Sequence, residues 1–119
     1  LGHTKCGAVK GACDHVEMGN LTELLSKLQP AVYQEKETKN DRNSSNYKFV
    51  ENVAEINVKR SVRNIIERSF ILEQMVENGE IGVIGAMYDI ETGKVDFYDD
   101  VEYIRDEINP AFSVAELRH

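Results

Sequence analysis

The sequence has little of what would tie it to a membrane, a nucleic acid or an oxidising compartment. No apolar run approaches the roughly 20 residues that span a bilayer. No charged-plus-apolar leader reads as a signal peptide. Positive charge is scarce: 14 Lys and Arg face 21 Asp and Glu, a net −7. An acidic surface argues against nucleic acid and anionic membrane as partners. Cysteine is scarcer still, with only Cys6 and Cys13. On one helix they stand about 10 Å apart by helical rise, too far to bridge. Two reduced thiols suit the cytoplasm. The chain starts with Leu rather than Met and reads as a fragment or a processed product. There is no internal repeat and no low-complexity segment.

What is present suits one domain, or part of one. The chain has 119 residues, 41% of them hydrophobic, which is enough for a core. Residues 2–17 read as a loop running into a helix. Gly7, Ala8, Gly11 and Ala12 form a small-residue face able to pack closely on another backbone. Gly19 marks a stop, and Asn20 with Glu23 resembles a capping box. Leu21, Leu24, Leu25 and Leu28 follow at helical spacing, and Pro30 ends that short helix. Residues 35–45 contain no apolar side chain and read as a solvated loop.

The longest helix begins at Asn46. Tyr47, Val50, Val53, Ala54, Val58, Val62, Ile65 and Ile66 form its apolar stripe, a core face or subunit contact. Ser69 reads as a fresh N-cap. Phe70, Ile71, Leu72, Met75 and Val76 are expected to be the buried face of the restarted helix, which ends at Asn78-Gly79. Residues 81–90 form a mostly apolar run, expected to be a strand buried on both faces. Gly82 and Gly85 predict close approach of another backbone. Glu91-Thr92-Gly93-Lys94 reads as a hairpin turn, with Val95 to Tyr98 as the antiparallel return strand. Asp99 and Asp100 are expected to cap a last short helix carrying Val101, Ile104 and Ile108, closed by Pro110, and the tail 111–119 to be an arm. A strand ending at Leu1-Gly2 would make the chain a helix-rich piece of an α/β sheet domain, mainly parallel, with an antiparallel edge strand and several flanking helices. Sites on such sheets lie at the carboxyl ends of strands, where His3 falls.

His3 and Cys6 are three apart among glycines. Imidazole and thiolate are ligand types that zinc prefers. The bland reading is a buried thiol beside a capping or surface histidine. A backbone N–H at Gly7 is placed to donate to a bound oxyanion or to the sulfur. Cys13 reads as a small buried residue, and His15 and His119 as surface histidines.

The stretches GHTKCGAVKGACD, GNLTELL, NVKRSV and IGVIGAMYDIETGKV together resemble the β-class carbonic anhydrases, in their C-terminal part. The resemblance spans nearly the whole chain, so residues 1–119 are expected to be a single partial domain of that kind. It implies a Zn2+ held by Cys, His and Cys, with His3 and Cys6 supplying two of the three. The family's first cysteine belongs to a Cys-x-Asp-x-Arg segment that this sequence does not contain. The Asp–Arg pair that assists catalysis goes with it, so no catalytic residue is assigned here, and neither Asp14 nor Asp89 is promoted. Gly7 matches the glycine after the second cysteine and is the expected substrate contact. The implied reaction is reversible hydration of carbon dioxide to bicarbonate, in a homodimer or larger homo-oligomer. Two thiolates on zinc are expected to leave the water less acidic than three imidazoles do, favouring activity at higher pH. Two other readings stand beside it. One is a non-catalytic carbonic-anhydrase-like structural or interaction module; the other is an enzyme acting on another small heterocumulene such as carbon disulfide.

Overall fold

The computed structural model describes residues 1–104. The chain is mixed α/β, with five helices between the first strand and the last two: β1 (Gly2–His3), α1 (Gly7–Cys13), α2 (Asn20–Ser26), α3 (Gln29–Gln34), α4 (Tyr47–Arg68), α5 (Phe70–Glu77), β2 (Val83–Tyr88) and β3 (Val95–Tyr103). Among the described residues these strands form one sheet in the order β1-β2-β3. β1 lies parallel to β2, with Gly2 opposite Met87 and His3 opposite Tyr88. β3 returns antiparallel to β2. The expected strand end at the start of the chain, the parallel pairing and the antiparallel neighbour are all present.

α4 organises the packing. Asn46 starts it, its side chain accepting the Phe49 N–H at 3.2 Å. Phe49, Val50, Val53 and Ala54 bury one half of the helix against Val9, Ala12 and Cys13 of α1 and Ala31 and Val32 of α3. Burying each large apolar side chain contributes about 1.5–3 kcal/mol before the entropy of ordering is subtracted. The other half, through Val58 and Val62, faces the sheet. A Cβ on Gly2 would stand 2.5 Å from Val58 Cγ2, and one on Gly85 would stand 3.1 Å from Val58 Cγ1. Glycine at both positions lets α4 lie close over β1 and β2. The close neighbours of Gly82 and Gly85 are therefore largely side chains, where the sequence predicted a backbone.

Several expectations are corrected. Gly19, not Asn20, is the N-cap of α2, at φ +50°, and no side chain caps there. Thr22 Oγ1 accepts the Met18 N–H at 2.8 Å, tying the residue before the N-cap back to the first turn. Pro30 opens α3 rather than closing α2, since a proline in a first turn sacrifices no hydrogen bond. Of the α2 leucines, Leu25 is buried while Leu21 and Leu24 are exposed. Tyr47 and Ile65 lie at the edge of the α4 stripe and are exposed. Ser69 does cap α5, accepting the Leu72 N–H at 3.2 Å. Its extended backbone redirects the chain, however, and Phe70 and Ile71 are 73% and 72% exposed rather than buried. β2 is not buried throughout; Ala86 is buried and Tyr88 exposed.

The aspartates at 99 and 100 cap no helix. They continue β3, where the register jumps between Ile84 and Gly85, leaving 99–101 unmatched by β2. Asp100 accepts a hydrogen bond from Lys59 of α4 at 2.7 Å. Ile104 follows the end of the strand, and Ile108, Pro110 and the tail lie outside the described residues.

The 35–45 loop lacks apolar side chains but is firmly anchored. Glu35 is 2% exposed. It accepts from the Thr38 N–H at 2.9 Å, from the Thr38 hydroxyl, and from Asn52 Nδ2 at 3.3 Å. Arg42 donates to the carbonyls of Val32, Glu35 and Thr38, and its guanidinium lies 4.6 Å over the Phe49 ring.

Candidate metal centre

β1 ends at His3, and only Thr4 and Lys5 separate it from Cys6, the N-cap of α1. The Thr4 N–H donates to the Tyr88 carbonyl at 2.9 Å, extending the parallel ladder by one bond. Lys5, at φ +56°, then turns the chain over. Cys6 is extended, and its carbonyl accepts the Lys10 N–H at 3.0 Å to begin the helix. His3 Nδ1 lies 2.9 Å from the Thr4 carbonyl. A carbonyl only accepts, so Nδ1 carries the proton and Nε2 is left with a free lone pair. A bond from the other ring nitrogen to a carbonyl fixes the tautomer of metal-binding histidines.

His3 and Cys6 border one cavity of about 140 Å³, roofed by α4 and closed by Met87 and Tyr98. Its α4 wall carries charges of both signs, Lys48 beside Glu51 and Glu55. Burial, and then the Glu55 and Asp96 carboxylates, push the Tyr98 phenol up to about 12, so it stays a neutral hydroxyl. Lys59 lies 5.1 Å over the Tyr98 ring, and its bond to Asp100 raises its pKa and keeps it charged.

With this geometry in view, likeness to known proteins decides the family. The sequence model of the family described as carbonic anhydrase matches residues 1–95. This chain belongs to the β-class carbonic anhydrase family. A carbonic anhydrase of Saccharomyces cerevisiae is 30% identical over 103 residues, covering 77% of this chain and 44% of that protein. A structure reported among two tetrameric β-carbonic anhydrases of Sordaria macrospora superposes with a TM-score of 0.69 at 22% identity. That match covers 82% of this chain and 49% of the other. The chain thus spans about half the length of the relatives it matches.

Within this carbonic anhydrase fold the other candidate residues separate cleanly. Cys13 is 1% exposed in the core, where burial pushes its thiol up to about 11. It does not line the cavity that His3 and Cys6 share. His15 sits beyond α1 at φ +54°, where its N–H bonds the Ala12 carbonyl and Val16 bonds that of Gly11, a Schellman closure. His119 lies outside the described residues. Asp14 accepts the Ser44 N–H at 2.7 Å, and Asp89 accepts the N–H groups of Glu91 and Thr92. Gly7 is exposed, and a Cβ there would meet nothing within 4 Å, so packing among the described residues does not demand glycine. Among those residues, no three His, Cys, Asp or Glu side chains gather to hold a metal. Sequence reasoning missed Tyr98 and the link from Thr4 to the hairpin. Both depend on contacts across most of the chain's length, and no local spacing signals them.

Proposed function

We propose that the protein containing this chain is a zinc carbonic anhydrase, catalysing the reversible hydration of carbon dioxide to bicarbonate. One observation carries the reading: in a chain of this family, His3 and Cys6 border the same cavity. The donor set fits zinc, since a neutral imidazole with Nε2 free and a thiol are two of its preferred ligands. In this reading His3 and Cys6 would hold the zinc from this chain. Bound zinc supplies Lewis-acid activation of the water that adds to carbon dioxide. His3 is held in the required tautomer by the Thr4 carbonyl. Gly7, the first residue of α1, carries the substrate contact through its backbone, and its missing side chain leaves the approach open. Met87 and Val9 line the cavity with apolar surface suited to an uncharged substrate, and Tyr98 offers a neutral hydroxyl beside it.

The same reading takes residues 1–119 as part of one domain of a homodimer or larger homo-oligomer. The Sordaria macrospora relative, described as tetrameric, supports assembly. A cytoplasmic setting is supported by two free cysteines. The test is carbon dioxide hydration by the natural full-length protein, followed by stopped flow with a pH indicator. His3→Ala is expected to lower kcat/KM by more than about 100-fold, beyond the usual cost of losing only an outer-shell partner. Unchanged hydration in that variant would overturn the reading.

A further inference from the structure

The loop that carries the two donors is too short to position itself. Only Thr4 and Lys5 lie between His3 and Cys6, so the donor separation follows from their backbone dihedrals. Lys5 stands in the left-handed region, which a lysine does not favour unaided. The β2–β3 hairpin holds both residues from outside. The Thr4 N–H donates to Tyr88, the Ile90 N–H donates to Thr4 Oγ1 at 3.1 Å, and the Lys5 ammonium pairs with the Glu91 carboxylate. The hairpin turn is itself braced. Asp89 Oδ1 accepts from Glu91 at 2.9 Å, the Asp89 carbonyl accepts from Gly93 at 2.8 Å, and the Asp89 N–H reaches the Lys94 carbonyl at 2.8 Å.

We infer that Thr4 is a positioning residue for the metal centre: its hydroxyl, accepting the Ile90 N–H, clamps the donor loop to the hairpin and sets where His3 and Cys6 point. The inference rests on the reading of His3 and Cys6 as metal donors. The Lys5–Glu91 pair is half in solvent and therefore a minor contributor. The hydroxyl bond is the specific element, because no other side chain on this loop reaches the Ile90 amide.

Thr4→Val keeps the shape and removes the acceptor, while Thr4→Ser keeps the acceptor. Cobalt(II) is the probe, since its thiolate charge-transfer absorption reports Cys6 coordination directly. Thr4→Val is expected to weaken cobalt binding about tenfold or more, the usual cost of losing an outer-shell partner, with Thr4→Ser within about threefold of the parent chain. Wild-type affinity in Thr4→Val, or equal loss in both variants, overturns the inference. Retained cobalt binding in His3→Ala would instead overturn the donor reading. A metal-free measurement keeps the two apart. By NMR amide exchange of the metal-free chain, Thr4→Val is expected to speed exchange at position 4, whose N–H bonds the Tyr88 carbonyl, as well as at Ile90, with Val53 in the α4 core unchanged. Faster exchange at Ile90 alone would show that the hydroxyl caps the turn without holding the loop, and the inference would fail.

Discussion

Replacing Arg42 with alanine removes the anchor of the 35–45 loop. Nη1 donates to the Glu35 carbonyl at 3.0 Å and the Thr38 carbonyl at 2.7 Å, and Nη2 to the Val32 carbonyl at 2.9 Å. The same group lies 3.6 Å from the Glu35 carboxylate, whose side chain is 1% exposed. Hydrogen bonds from a charged donor are each worth about 1.5–3 kcal/mol, so three would reach about 5–9 kcal/mol if they simply added. They do not add in full, because a third of the Arg42 side chain is in water and water will replace part of what is lost. About 3 kcal/mol is the expected cost, the lower end for stripping a partner from a buried charge. At about 4–8 °C per kcal/mol for a domain of this size, Tm should fall by about 12 °C or more. Thermal and urea unfolding followed by circular dichroism measure it. Arg42→Lys keeps the charge but not the forked donors and should recover less than half of the loss. A fall below about 4 °C for Arg42→Ala, or full recovery with lysine, would refute the reasoning.

His15→Gly should raise stability by about 0.5–1 kcal/mol, since histidine occupies a left-handed position that suits glycine; an unchanged or lower urea midpoint would contradict this. Thiol labelling at pH 8 should show one fast cysteine, Cys6, and one slow, Cys13, whose thiol is pushed up to about 11 in the core; equal rates by mass spectrometry would contradict it. Stability should fall with acid. Burial raises the Glu35 pKa, but hydrogen bonds from Thr38 and Asn52 outweigh it and hold the group below its ordinary 4.5. The unfolded chain then takes up the proton first, so the contribution is complete above about pH 4.5 and is lost as pH falls through the folded value. Asp100, bonded to Lys59, acts in the same direction. Urea midpoints equal at pH 7 and pH 3.5 would count against both.

Much of this arrangement was legible in the residues. The α4 stripe, the Asn46 and Ser69 caps, the Asn78-Gly79 stop and the hairpin at Gly93 follow local rules of periodicity and backbone conformation. The failures have a common cause. Phe70 and Ile71 are apolar and helical, yet their exposure depends on how Ser69 redirects the chain. Asp99 and Asp100 look like helix caps, but they continue β3 between the paired residues Tyr98 and Glu102, and Lys59 reaches Asp100 from α4. Glu35 sits in a charged loop, and only the fold shows it buried beneath Arg42. For the site, the spacing of His3 and Cys6 and the family resemblance singled out the two residues proposed as donors. The cavity they share with α4 and Tyr98, and the clamp from Thr4 to Ile90, arise from contacts between distant segments and leave no periodic trace.

The assignment of His3 and Cys6 as zinc donors is a proposal about two side chains, and metal content reads it. Zinc bound per chain, measured by atomic absorption after equilibrium dialysis of the parent, His3→Ala and Cys6→Ser, tests it most directly. Both variants should lose most of the zinc that the parent retains, with Cys13→Ser unchanged. Equal zinc in the parent, His3→Ala and Cys6→Ser would contradict it.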